Sequence, residues 1–554
     1  MPTRDVPQPA PAPSVGAPAA PAVAATTGRC YFTAAMPAAV AVNQTVPVEV
    51  ALSRDLIEVA ASATSGAGSG DVDFARTLRA QLIPKTNLEI VGDSFVELPP
   101  WGDRRRFDLL FEVRGTNDGD GEVMVVFRQG PLVVGTLTLR PQVGAAAMPG
   151  ANRLVATSEA EPEPPLAANY PVLQIFERRH GTQLTYLFVL ETGDGAYLSR
   201  DSEPLQADRE AYVARIYSEI EDRWLSAKDD ADAFEEEMRA LGGQLLDELV
   251  PLDVQQALWK VRDDLRAIHV LSEEPFIPWE IVHLKPPRQL AGVPEPLPDE
   301  THFLAQKGLV RWLHNRGRAA RELRVRPEHA FYVIPAYPHP DWKLPAAQQE
   351  IPFLAQRLGA APLEAESNAV RARLRDAGSV DLFHFSGHGE ADAKQAGQAH
   401  IMLAGRVENG AYVPLYFTSS VVQQSARLAG ADGNQPLVVL NACQVGRAGW
   451  QLSSIGGFAE AFIRAGAGAF VSSLWSVGDE PARTFTERFY TSLLGGAPLA
   501  EAVVDGRAAA RAAHEATWLA YVVYGHPLAT LHVEPDRGVS MPAGASPMQA
   551  TARV

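Results

Sequence analysis

The chain has 554 residues, with 49 Lys and Arg against 66 Asp and Glu and a formal net charge of −17. That length exceeds one ordinary core and favours about three domains, and the acidic balance excludes a general phosphate-binding surface, so nucleic acid is not an expected partner. No apolar run approaches the roughly 20 residues that span a bilayer; the most apolar stretch, Ala461 to Leu474, is broken by Arg464 and by small residues, and no membrane span is expected.

Met1 to Thr27 carries Asp5 and repeated Ala and Pro where a secretory leader has a basic start and an apolar centre, so a cytoplasmic protein is expected. Residues 1–28 hold almost no large apolar side chains and cannot offset the entropy of ordering, which predicts a disordered tail. Over 29–142 the pattern turns to short apolar runs of period two, among them Val46 to Val50, Phe107 to Val113, Glu122 to Phe127 and Val133 to Leu139, with turn residues at Gly115 to Gly121. An all-β sandwich is the expected fold there. Arg104-Arg105-Arg106 fits a solvated strand edge. Pro and Glu crowd residues 143–168, the composition of a linker.

Beyond the linker, residues 169–325 open with a hairpin, Val172 to Phe176 and Leu184 to Leu190, turning near His180-Gly181-Thr182. Two amphipathic helices follow, about Ala207 to Leu225 with Tyr212, Ile216, Ile220 and Trp224 on one stripe, and about Asp230 to Leu249. Over 326–535 apolar runs alternate with helical stretches (Ala330 to Ile334, Leu344 to Leu358, Asn368 to Asp376, Val380 to Phe385, Leu437 to Leu440). This alternation implies an α/β region with a mostly parallel sheet, whose ligands collect at the carboxyl ends of the strands. Residues 536–554 form a second expected disordered tail.

Two strand exits carry chemistry. Asp381 to Phe385 runs into Ser386-Gly387-His388-Gly389-Glu390, and Pro436 to Leu440 runs into Asn441-Ala442-Cys443. A thiol needs a base to become an effective nucleophile, and a histidine on a neighbouring strand end supplies one. Backbone N–H groups of Gly389 and Cys443 would then serve the oxyanion. A lone cysteine after an apolar strand is ordinarily a small buried hydrophobe, but Cys443 lies 55 residues after His388, in the order and near the spacing of about 50 of the caspase signature. The catalytic candidates are therefore His388 and Cys443. The other cysteine, Cys30, has no histidine near it in sequence; the two match no zinc spacing and no disulfide framework, so both are expected as free thiols.

From about Val172 to Val533 the chain resembles a CHAT domain, a bacterial relative of caspases and separases. The resemblance rests on Ile277-Pro278-Trp279-Glu280, His384-Phe385-Ser386-Gly387-His388-Gly389, Leu440-Asn441-Ala442-Cys443, Gly457 to Phe462, Ser473 to Asp479 and Tyr524-Gly525-His526-Pro527. One departure is Gly446, three positions after Cys443 where the caspase signature has glycine two positions after it. The resemblance implies a caspase-like fold with an inactive pseudo-caspase half over 169–325 and a catalytic half over 326–535. It also implies a Cys-His dyad that needs no third member, metal or cofactor. By the same analogy, the N-terminal β-domain would dock a regulatory protein partner or activator, as in bacterial defence, and the substrate would be a protein. Relatives that cut after Arg or Lys carry an acid in the first specificity pocket, for which Asp479 is the candidate; the alternative for Asp479 is the N-cap of the helix it begins. Asn441 is a neutral candidate for the same pocket. Trp279 reads as a core anchor. Two other functions compete: a non-catalytic scaffold using the same fold, and a latent enzyme whose loops, Ala391 to Gln398 or Val407 to Tyr412, order on activation.

Overall fold

The computed structural model describes residues 27–57, 66–130, 132–144, 153–155, 170–181, 183–192, 196–205, 209–227, 230–273, 277–287, 302–314, 316, 319–390, 399–408, 411–442, 449–451, 454–475, 477–513 and 518–535. Residues 1–26 and 536–554 of the two expected tails, Ala391 to Gln398 and Cys443 itself lie outside them, whereas Thr27 and Gly28, expected in the first tail, begin a strand and pair with Asp73 and Val72.

The N-terminal region is mostly β. Alternation of apolar and polar residues builds β1 (Thr27–Pro37), β2 (Thr45–Ser53), β3 (Gly66–Asp73), β4 (Leu78–Thr86), β5 (Arg106–Gly115), β6 (Glu122–Gln129) and β7 (Leu132–Leu139). In β5 the exposed series Arg106, Asp108, Leu110, Glu112 and Arg114 alternates with side chains that turn inward at Phe111 and Val113, the period of a half-buried strand. One layer holds β1, β2, β3 and β5; inward residues such as Phe32 stack on Phe127 of β6 at 4.3 Å between ring centres. Cys30 sits inside this core with no exposed surface, and burial pushes its thiol up to about 12.

The second layer, β7-β6-β4, does not end at the domain edge as a self-contained sandwich would. Thr86 of β4 pairs in parallel with Arg179 of β8 (Val172–His180), so the layer continues into the α/β sheet. Lys85 is buried in an ion pair with Glu273 at this seam, and Arg178 donates to Pro84 O at 2.8 Å. The expected hairpin forms between β8 and β9 (Gln183–Glu191). Gly181, at φ +61°, takes the left-handed turn position that a side chain would disfavour.

Helices α1 (Arg209–Ala227) and α2 (Ala231–Leu249) follow. Tyr212, Ile216 and Ile220 are buried on one stripe of α1, and Trp224 meets Phe234 of α2 edge-on at 5.9 Å. Asp230 caps α2, accepting from Ala233 N at 3.0 Å. The sheet then continues through β10 (Ile268–Ser272), β11 (Leu309–Leu313) and β12 (Ala330–Val333). Trp279 is fully buried between these layers and meets Phe188 edge-on at 5.8 Å, the core anchor its sequence context suggests.

The last part contains α3 (Pro345–Leu358), β13 (Leu382–Ser386), β14 (Leu437–Asn441), β15 (Ala469–Ser473), α4 (Asp479–Leu494) and β16 (Tyr521–Tyr524). The sheet order is β7-β6-β4-β8-β10-β11-β16-β15-β14-β13-β12. Strands β12 to β15 are mutually parallel, and so are β8, β10, β11 and β16; the two sets meet antiparallel at β15 and β16. Their carboxyl ends therefore open on opposite edges of one sheet. Of the Val407 to Tyr412 segment, Val407 pairs with Tyr412 and Glu408 with Ala411 across two antiparallel strands, and residues 409–410 lie outside the described residues. No helix among the described residues is long and apolar enough to cross a membrane.

Candidate active site

β13 and β14 are neighbours in parallel register, with Ser386 opposite Asn441. Each strand is five buried residues long, so each delivers its exit loop to the same sheet edge. His388 is two residues beyond Ser386, and Cys443, outside the described residues, is two positions beyond Asn441.

The His388 loop is held tightly. Tyr337 donates its hydroxyl to Met402 O at 2.6 Å and accepts from His388 N at 3.0 Å, with its ring 4.8 Å from the imidazole. Gly387 is what admits that tyrosine: a Cβ there would stand 2.7 Å from the Tyr337 hydroxyl and 2.7 Å from Phe385 Cζ. His388 Nε2 lies 2.9 Å from Trp342 O. A carbonyl only accepts, so Nε2 carries the proton and Nδ1 presents the lone pair of a base. His388 O accepts from Met402 N at 2.9 Å while Gly389 faces Ile401; in that antiparallel pattern the Gly389 N–H points away from its partner strand.

On the cysteine side, Ser473 donates to Ala442 O at 2.7 Å and Ser472 to Leu440 O at 3.0 Å, pinning the chain up to the residue before Cys443. A cavity of about 100 Å³ lies between the two exits, lined in part by His388, Ala442, Leu344 and Asp479.

Asp479 is not the N-cap of its own helix. Gly478 holds that position, and the Asp479 carboxylate crosses to α3 instead, accepting from Ala346 N at 2.7 Å and Ala347 N at 3.0 Å. Two donors that the start of α3 leaves unmatched are thereby satisfied, and the anion sits at the positive end of that helix. Asn441 also lines the cavity, but its amide is engaged on the buried side: Nδ2 donates to Glu350 Oε1 at 3.2 Å and to Thr486 at 3.0 Å, and Oδ1 accepts from Tyr521 at 3.0 Å.

Glu350, fully buried on α3, was not among the candidates taken from the sequence. Its Oε2 meets His384 Nε2 at 2.8 Å, and its Oε1 accepts from both Ser386 (3.3 Å) and Asn441. His384 Nδ1 faces the Tyr490 hydroxyl at 3.1 Å. Burial, with the Glu350 charge second, holds that phenol well above its usual range, so it remains a donor. Trp342 and Tyr337 also went unread, the first because it acts through its backbone. Glu350 had a sequence signal: it falls on the buried stripe Ala346, Ala347, Glu350, Leu354 and Leu358, where an acid needs partners.

No curated protein matches the chain. Among solved structures, the Saccharomyces cerevisiae separase–securin complex at 2.6 Å gives a TM-score of 0.41 at 11% identity, covering 66% of this chain and 30% of that one. The chain thus spans under a third of that structure's length. Gingipain R, an Arg-specific cysteine proteinase, gives 0.32 at 13% identity, covering 58% of this chain and 75% of that one. A CARDB domain from Pyrococcus furiosus gives 0.14 at 14% identity over 21% of this chain and 96% of its own. A family described as a domain of unknown function matches residues 34–139, and the CHAT domain model matches residues 239–526. With that second match taking in more than half of its residues, the chain belongs to the CHAT domain family.

Proposed function

We propose that the chain is a caspase-like cysteine endopeptidase using Cys443 and His388. The observation that carries this reading is the Nε2 bond to Trp342 O, which leaves Nδ1 as the base on a residue lining the cavity at the cysteine strand's exit. Cys443 Sγ bonds to the scissile carbonyl carbon as its proton passes to His388; Gly389 and Cys443 N–H groups receive the oxyanion; the imidazolium returns the proton to the departing amine. Water, deprotonated by the same imidazole, then attacks the thioester and frees the thiol. Asp479 would receive a basic side chain before the cut. Its carboxylate already accepts from two backbone donors and keeps lone pairs for a third. Asn441 would contribute wall rather than charge. A regulatory protein bound to the N-terminal β-region, as in bacterial defence, would act through strands that continue into the catalytic sheet. Residues 169–325 would be the pseudo-caspase half.

The test is digestion of a mixed peptide library, with cleaved positions identified by mass spectrometry. Wild-type protein is expected to cut, Cys443→Ala to leave only background, and Asp479→Asn to lose preference for Arg or Lys before the cut by about tenfold or more. Cleavage that persists in Cys443→Ala would rule the reading out.

A further inference from the structure

The two strands that deliver the proposed catalytic pair share more than their ladder. Ser386, two residues before His388, and Asn441, two before Cys443, are opposite one another in register. Both donate to the same atom, Glu350 Oε1, at 3.3 and 3.2 Å. The other carboxylate oxygen is fixed by His384, itself in the histidine strand and backed by Tyr490. Every side chain in this group is buried. A carboxylate without exposure is retained only where donors surround it, and each of these donors comes from a strand whose end carries the chemistry. The helix bearing Glu350 also begins three residues after Trp342, whose carbonyl holds His388, and its first turn is bound by Asp479.

We propose that Glu350 is a positioning residue for the Cys443–His388 pair, one oxygen locking the histidine strand to the cysteine strand. This rests on the peptidase reading above. Reacting groups misplaced by about 1 Å lose on the order of 100-fold in rate, and a side-chain clamp two residues upstream limits such drift. Apart from His388, the one ionisable side chain lining the cavity among the described residues is Asp479.

Alkylation of Cys443 by iodoacetamide, followed against pH, tests this without a substrate or an activator. Cys30 is fully buried with its thiol pushed up to about 12, so the accessible label reports Cys443. In wild type the rate is expected to persist at about pH 6, below the usual thiol range, because His388 assists ionisation. Glu350→Leu, similar in size but without acceptors, is expected to react about tenfold more slowly at pH 6 and within about twofold of wild type at pH 10, where the thiol ionises unaided. Glu350→Gln keeps an oxygen for Ser386 and Asn441, while its amide can donate to the other tautomer of His384; recovery to within about threefold of wild type is expected. Once a cleaved peptide is in hand, the Leu variant should lower kcat with KM within about twofold. Should Glu350→Leu fail to fold, Asn441→Ala removes the cysteine-strand donor to Glu350, together with its bonds to Thr486 and Tyr521, and is expected to slow the pH 6 reaction about threefold or more. A wild-type pH profile in these variants, beside a changed profile in His388→Ala, would overturn the clamp and leave the peptidase reading standing. An unchanged profile in His388→Ala would overturn both.

Discussion

His388→Ala is expected to lower kcat/KM for any cleaved peptide by about 10³-fold or more while the protein stays folded. A positioned general base contributes roughly 10²–10⁴-fold, and a thiol that depends on it loses both its activation and the acid that protonates the departing amine. The structural loss is small by comparison. The ring is half-buried and, among the described residues, makes one hydrogen bond, to Trp342 O, together with its contact on Tyr337; a bond of that kind contributes about 0.5–1.5 kcal/mol net. A thermal melt should therefore move by a few degrees only. Progress curves on the preferred peptide measure the rate, and a loss below tenfold would remove His388 from the chemistry.

Glu280→Ala is expected to do the reverse, destabilising the fold without touching the site. Glu280 is fully buried and engages Arg311 through both oxygens, Nε to Oε1 at 2.8 Å, while Arg311 also donates to Ile277 O at 2.7 Å. Nearby Arg507 is buried too, donating to Ala305 O at 2.8 Å and Tyr521 O at 2.6 Å; burial draws it down to about 10, with Glu280 the chief opposing influence. Removing that carboxylate leaves Arg311 and Arg507 as two buried cations that disfavour one another, and breaking such a pair costs about 3–5 kcal/mol. Urea denaturation of the Ala variant should show a lower midpoint with an unchanged slope. A shift worth under about 1 kcal/mol would mean that the pair is not a structural tie.

The same residue shows how much of the molecule was legible from its sequence. Ile277-Pro278-Trp279-Glu280 supports the family resemblance, and Trp279 announces its burial through its apolar neighbours, but nothing local identifies Arg311 as the partner of Glu280. The two strand exits were legible because a short, mainly apolar run, Leu382 to Phe385 or Leu437 to Leu440, gives way to polar residues, with glycines on either side of His388, where a buried strand reaches a loop. Local pattern also located the hairpin at Gly181 and the stripe of α1. Contacts between segments distant in sequence were not legible. The pairing of Thr86 with Arg179 that fuses the β-region to the α/β sheet is one. The crossing of Asp479 to the start of α3 is another: a helix-start pattern identifies an acid near an N-terminus without saying which helix it caps. Trp342 acts through a carbonyl that every residue possesses.

Attack by Cys443 as the nucleophile at a peptide carbonyl is the core of the proposed function. Its most direct test is the intact mass of wild-type protein, Cys30→Ala and Cys443→Ala after incubation with peptidyl chloromethyl ketones ending in Arg, with the modified residue mapped by digestion. A single adduct on Cys443 in the first two proteins and none in the third is the expected result. An adduct that survives in Cys443→Ala, or a wild-type protein that takes up none, would contradict it.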